Sequence, residues 1–489
     1  MKIGMNLAAP VYFCRGWIFK NIFQMARDWS IKGDREAEVP LMPENGYPDF
    51  TRLKDGQIVM TSIFNNADGH YPAGNYIYSQ VGVGEVSFPR SINVLEDYGF
   101  SKILEIDPSK GGAGVFIHSS NPENPITGIR LTPVKSLLDF GNFQREYIDH
   151  VKRFDTVRFM DWQMINHVLH APEIEKRTQP FDIQQAGHGT GRALPAGEDG
   201  VAIELMVELC NRAKVNPWFC MYHLFNEEYV RLFATIVRDN LDPNLTIHIE
   251  WSNEVWNDQF FVNDWVKSQA ETFNTSPFEI IKREIDRNWD IWLDVFGNES
   301  GRLKKVIGGW NGNPNWTESL LRTGITGHML AIAPYVTPRR NDTLTYMEVT
   351  TASKIFQDID NVYDTLLSRT ARNVDLADHF GFIPVCYEGG QGLVANGRWR
   401  AAAWAAQESP KMSKLYTRLL KDLDNLGIRL FCHFNDISDR TDAFGSWGAS
   451  EYQDVDGIKM KALLDARPQS SFKKALIKIK RMFKRDGRK

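Results

Sequence analysis

Two short stretches place a carboxylate where an apolar run stops. In TIHIEWSNEVWN, residues 246–257, the run gives way to Asn253-Glu254, set between Trp251 and Trp256. In FIPVCYEGG, residues 382–390, it ends in Tyr387-Glu388 ahead of two glycines. Two carboxylates facing each other across a cleft are the equipment for breaking a glycosidic bond. One protonates the leaving oxygen, and the other attacks the anomeric carbon or activates a water. A gap of about 5–5.5 Å gives retention and about 6.5–9.5 Å gives inversion, a choice the residues alone leave open.

The neighbours suggest a division of labour. Arg158 lies inside the apolar run FDTVRFM, where a charge must be paired. With Tyr335 it is expected to hold Glu388 ionised, by charge and by hydrogen bonding. Trp251 and Trp256 are expected to give Glu254 a less polar setting that keeps its proton. Asn253 is placed to bond a sugar 2-hydroxyl, a contact that strengthens in an oxocarbenium-like transition state. His223, taken alone, reads more readily as a satisfied core histidine than as a ligand.

These groups need a frame that brings strand ends together. From residue 143 onward the chain alternates strands and helices. FDTVRFM, NPWFCMYH, TIHIEWS, LKKVIGGW, MLAIAPYV, FIPVCYE and IRLFCHF read as strands, with helical patterns between them. The N-terminal KIGMNLA supplies an eighth strand, and GWIFKNIFQMARDW behind it is expected to be its helix. Eight such units predict a (β/α)8 TIM barrel, whose catalytic groups sit at the C-terminal ends of the strands. An open doubly wound sheet is the competing fold, but no glycine fingerprint follows a strand. Between residues 34 and 135 the texture changes to short strands punctuated by Gly, Pro, Asn and Asp, which predicts an inserted all-β sandwich. The expected division is therefore residues 1–33 as the first unit, 34–135 as the sandwich, 136–470 as the rest of the barrel and 471–489 as a tail.

Composition narrows the function classes. The net charge of -4 is uneven: residues 473–489 hold nine Lys or Arg against one Asp, which leaves -12 on the rest. Such a body lacks the basic face that nucleic acid requires. The tail FKKALIKIKRMFKRDGRK is basic and amphipathic, so it either contacts an anionic surface or frays into solvent. The five cysteines are scattered without a CxxC pair, which argues against a zinc or redox motif, and nothing calls for a cofactor. A metal-dependent hydrolase would have to draw ligands from His223 and His433 alone. No apolar run is long enough to span a membrane. MKIGMNLAAPVYF has no signal-peptide core, so the chain is expected to be cytoplasmic unless a leader has been removed.

Arg158 on the second strand, His223 on the third, Asn253-Glu254 on the fourth, Tyr335 on the sixth, Glu388 on the seventh and Trp447 after the eighth together resemble clan A glycoside hydrolases. VRFMDW, EWSNEVWN and APY also resemble a bacterial cellulase-like group of that clan with a β-sandwich near the N-terminus. The similarity spans residues 2–451. It implies a retaining endo-β-glycosidase acting on a polysaccharide or oligosaccharide, with Glu254 as acid/base and Glu388 as nucleophile. Arg158, His223, Asn253, Tyr335 and Trp447 would line the subsite of the reacting sugar. A carbohydrate-binding protein on an inactive barrel is the alternative, and the presence of both glutamates weighs against it. The Gly-rich stretch 177–200 has no counterpart in the pattern.

Overall fold

The computed structural model describes residues 1–468, apart from 35–36, 168–170, 187–199, 396 and 443. The basic tail and most of the Gly-rich stretch lie outside the described residues. Eight strands close into a parallel barrel in chain order: β1 (Lys2–Asn6), β2 (Thr156–Arg158), β3 (Asn216–Met221), β4 (Ile247–Trp251), β5 (Leu303–Gly308), β6 (Met329–Ile332), β7 (Ile383–Cys386) and β8 (Leu430–His433). Closure comes from β1 pairing with β8, Lys2 opposite Leu430 and Met5 opposite His433. The strands are short, apolar and buried, as a parallel sheet covered by helices demands. At Gly4 a β-carbon would lie 2.5 Å from the Cys432 sulfur and 2.9 Å from the Thr156 carbonyl oxygen, so a larger residue would force the strands apart.

Most of the covering helices follow the sequence pattern. Glu227–Asn240 is capped by Asn226, which accepts from the Tyr229 N–H at 2.8 Å, and Glu227 and Glu228 lie in its first turn. Both features favour the positive end of the helix dipole. The helix expected behind β1 is the exception. Ile22–Met25 forms only a short 3-10 turn, and the helix between β1 and β2 is instead Arg145–Val151, beyond the insertion. Trp17, Ile18, Phe19, Ile22, Phe23, Met25 and Trp29 are all buried, so the segment has no wet face along which an amphipathic helix could lie. It runs beside the returning chain, with Lys20 N–H donating to the Asn142 carbonyl and Gln144 N–H to that of Ile18.

The insertion contributes two antiparallel four-stranded sheets and no strand to the barrel. One orders 30–31, 59–63, 113–117 and 86–87, and the other 92–97, 101–106, 74–81 and 127–133. Ser30–Ile31 already pairs with this first sheet, ahead of the boundary expected at residue 34. Alternation fixes the inward face: Val59, Thr61 and Ile63 on one sheet, Tyr76, Tyr78, Ile129 and Leu131 on the other. Arg15 ties the insertion to the loop after β8, bridging Asp68 at 3.0 Å, Asp439 at 2.8 Å and Glu451 at 2.6 Å.

Candidate active site

Arg158 ends β2 with no exposed surface, and its planar fork is used completely. Its Nη1 donates to Glu388 at 2.7 Å and to Asn6 at 3.1 Å. Its Nη2 donates to Asn253 at 2.9 Å, and its Nε to Glu250, also at 2.9 Å. Strands β1, β2, β4 and β7 therefore meet at one guanidinium at the C-terminal end of the barrel. The second oxygen of Glu388 accepts from the Tyr335 hydroxyl at 2.8 Å. Both partners foreseen for Glu388 are in place.

Glu254 sits on a strained turn. After β4, Ser252 has φ 56° and Glu254 φ 40°, left-handed values that non-glycine residues seldom adopt. This is why the strand stops at Trp251, and such strain collects at sites where the surroundings over-determine a side chain. The Glu254 oxygens accept from the Tyr387 hydroxyl at 2.8 Å and the Asn257 amide at 2.9 Å. Its environment is thus hydrogen-bonding, where the sequence suggested an apolar aromatic one. Only one flanking indole borders it: Trp256 packs near Tyr387 and stacks on Trp310, with ring centres 6.3 Å apart. Trp251 turns into the core against Trp265.

Glu388 is followed by two residues only glycine suits well, with φ 156° at Gly389 and 127° at Gly390. A β-carbon on Gly390 would lie 2.6 Å from the Tyr416 hydroxyl and 2.8 Å from His433 Nε2. The turn lets Gly390 and Gln391 pair with Tyr335 and Val336, which holds Tyr335 beside Glu388. The loop after β8 brings Trp447 edge-on to Tyr335, ring centres 5.4 Å apart. His223 packs against Tyr222 and Trp265 and has no hydrogen bond to either glutamate. Its buried Nδ1 has no partner among the described residues, and burial lowers its pKa to about 4, so the ring is neutral. The second amide face of Asn253 donates to Asn166 at 3.3 Å.

Glu250 and Asn6 were missing from the sequence-derived set. Glu250 is buried in β4 and accepts from Trp218 Nε1 at 2.8 Å as well as from Arg158. The signal was present, because a lone acid in TIHIEW needs a partner as much as the arginine in FDTVRFM does. Asn6 donates to the carbonyls of Tyr387 and His433 while accepting from Arg158, and a neutral amide at a strand end gives little warning of this.

Glu250 changes the electrostatics, because one buried guanidinium now serves two carboxylates. Burial pushes the Glu388 pKa up to about 8, the charges of Glu254 and Asp161 add to this, and Arg158 and the Tyr335 hydroxyl pull it down. Arg158 and the Tyr335 hydroxyl both pull the Glu388 pKa down, as expected, but burial outweighs them. The consequence for stability has a definite sign. The folded value lies above the ordinary 4.5, so the folded state holds a proton that the unfolded chain has released. The Glu388 contribution to wild-type stability therefore falls as pH rises from about 4.5 to about 8, then levels off. Glu388→Gln lacks that slope. Its melting temperature relative to wild type should climb across this window and then run parallel. A constant difference from pH 5 to pH 9 in a thermal-shift series would contradict the assignment.

No family model and no curated protein matches the chain. Solved structures give distant likenesses. A GH5 cellulase of Bacteroidetes affiliation, linked with a polysaccharide utilization locus, is 12% identical with a TM-score of 0.38, over 69% of this chain and 88% of that one. The CBM22-1–GH10 modules of endo-1,4-β-D-xylanase 10B from Clostridium thermocellum are 9% identical with a TM-score of 0.40, over 93% and 98%. A GH51 arabinofuranosidase from Xanthomonas axonopodis pv. citri is 12% identical with a TM-score of 0.43, over 67% and 66%. At these identities and scores the reading of the site rests on its own geometry, and the barrel on its own strand order.

Proposed function

We propose that this protein is a retaining endo-β-glycosidase that cleaves a polysaccharide by double displacement. The observation that carries the reading is the pair of glutamates at the C-terminal ends of β4 and β7, each held by two donors. Arg158 and Tyr335 fix Glu388, and Tyr387 and Asn257 fix Glu254. Glu388 would attack the anomeric carbon while Glu254 protonates the leaving oxygen. Glu254, as the conjugate base, would then draw a proton from the water that releases the sugar. Attack requires Glu388 in its ionised form, which burial disfavours and Arg158 and the Tyr335 hydroxyl favour. Asn253, oriented by Arg158, is placed to meet the 2-hydroxyl. The neutral His223 ring, with its orphaned Nδ1, and Trp447 would complete the wall around the reacting sugar.

A panel of defined polysaccharides, assayed for new reducing ends with wild type beside Glu388→Gln, tests the reaction class. Stereochemistry tests the mechanism. Double displacement requires that the first-formed product keep the anomeric configuration of the substrate, visible by proton NMR before mutarotation. Initial appearance of the opposite anomer would assign a single displacement by water and remove the nucleophile role from Glu388.

A further inference from the structure

A cavity of about 470 Å³ opens beside Tyr335, between the loop after β5, the loop after β6 and the helix Ala352–Phe380. Its volume lies in the range of small-ligand sites. Tyr335, whose hydroxyl bonds Glu388, forms part of its wall, so the cavity adjoins the glutamate pocket. The helix explains how a wall rises there. Thr370 donates to Asn311 after β5, and at 1.5 Å per residue the stretch from Ala352 to Thr370 extends about 27 Å beyond that point.

Among the described lining residues only two are charged, Arg339 and Arg369. Both are exposed, and neither is paired with a carboxylate among the described residues. Arg340, beside Arg339, likewise has no carboxylate partner among the described residues, whereas other arginines nearby do. Arg372, three residues along the same helix, pairs with Glu318, and Arg418 on the adjacent helix reaches Asp360. In a chain of net charge -4, carboxylates are not scarce.

We propose that this cavity is a subsite for an anionic sugar unit, and that the substrate is an acidic glycan bearing carboxylates or sulfate esters. The proposal rests on the glycosidase reading above. A guanidinium is charged at every working pH and presents a planar fork that matches a carboxylate or sulfate. The reacting pocket has the opposite character, since Glu250 and Glu388 share one arginine and Glu254 adds a third carboxylate. An anionic unit there would be repelled, so a charged unit of the same chain needs cations one step away, where Arg339 and Arg369 stand. Asn311, Thr337 and Thr365 supply neutral polar groups around them.

Binding separates this proposal from the reaction itself. Affinity electrophoresis of wild type through polymannuronate, glucuronan and a sulfated β-mannan, each beside its neutral counterpart, reads retention without needing turnover. At least one anionic polymer should retard the protein more than its neutral counterpart, and the retardation should fade with added salt. Which of the three acts distinguishes carboxylate from sulfate. In Arg339→Gln/Arg369→Gln the affinity should fall roughly tenfold or more per arginine, the weight of a hydrogen bond to a charged group. Retention on the neutral polymer should be unchanged. Equal retention by charged and neutral polymers, or undiminished retention in the double variant, overturns the subsite. Cleavage of a neutral glycan alongside that result would leave the glycosidase reading standing. Charge-selective retention with no cleavage of any polymer would keep the subsite and reject the reaction.

Discussion

Glu388→Gln is expected to remove nearly all turnover on any glycan the wild type cleaves, and Glu254→Gln to lower it by about 10²–10⁴-fold. The two losses differ in kind. Glutamine at 388 keeps the shape and the Tyr335 contact but offers no oxygen nucleophile, so no glycosyl-enzyme can form. Glutamine at 254 still accepts from Tyr387 but cannot protonate the leaving oxygen. A substrate with an activated leaving group hardly needs that proton, so its first step should survive in Glu254→Ala. Azide should then restore turnover by attacking the glycosyl-enzyme where the base is missing, and it should do nothing for Glu388→Gln. Both variants keep the side-chain volume, and a cooperative melting transition in each would show that misfolding does not explain the losses. Wild-type activity in either variant, or azide rescue at 388 instead of 254, would sink the assigned roles.

The residues that could be read from the sequence are those whose chemistry conflicts with their surroundings. Arg158 in an apolar strand and carboxylates at the ends of apolar runs each demanded an explanation, and the barrel follows from eight such runs alternating with helices. The errors have physical causes too. Residues 16–29 look amphipathic only if one side is assumed wet, whereas the insertion folds over them and buries both sides. Trp251 ends β4 and packs on Trp265, while the turn through Ser252 and Glu254 carries Trp256 to Trp310 and Tyr387, and a left-handed φ at serine leaves no mark in composition. The raised Glu388 pKa comes first from burial and then from the charge of Glu254, and both follow from how the barrel closes over the site. Glu250 was legible by the rule that exposed Arg158. It was passed over because the more conspicuous Asn253-Glu254 lies in the same stretch.

Removing Arg158 should have the largest structural effect of any single change in the site. The guanidinium is fully buried and holds Glu250 at 2.9 Å and Glu388 at 2.7 Å, with Asn6 and Asn253 on its remaining donors. Arg158→Met fills similar space but leaves two buried acids without a cation. Breaking a buried pair from one side costs about 3–5 kcal/mol, mostly through the charge left behind. Part of that cost is avoided if the orphaned carboxylates take up protons, so the destabilisation should be smaller at pH 5 than at pH 8. Arg158→Lys keeps the charge but not the fork, and one ammonium cannot reach four acceptors spread around a planar group. It should fold well and still lose at least roughly a hundredfold in kcat, because Glu388 and Asn253 are no longer aimed together. Arg158→Met/Glu250→Met separates the two functions of the arginine. Deleting both members of the pair should recover much of the lost stability, as replacing a buried ion pair by apolar groups often does. It should recover no activity, because Glu388 and Asn253 remain without the Arg158 donor that aims them together. Chemical denaturation of wild type, Arg158→Met, Glu250→Met and the double variant gives the coupling energy directly. Wild-type stability in Arg158→Met would mean that the acids do not depend on this cation. Restored turnover in the double variant would mean that Arg158 serves the fold alone, with Glu388 held for catalysis by Tyr335.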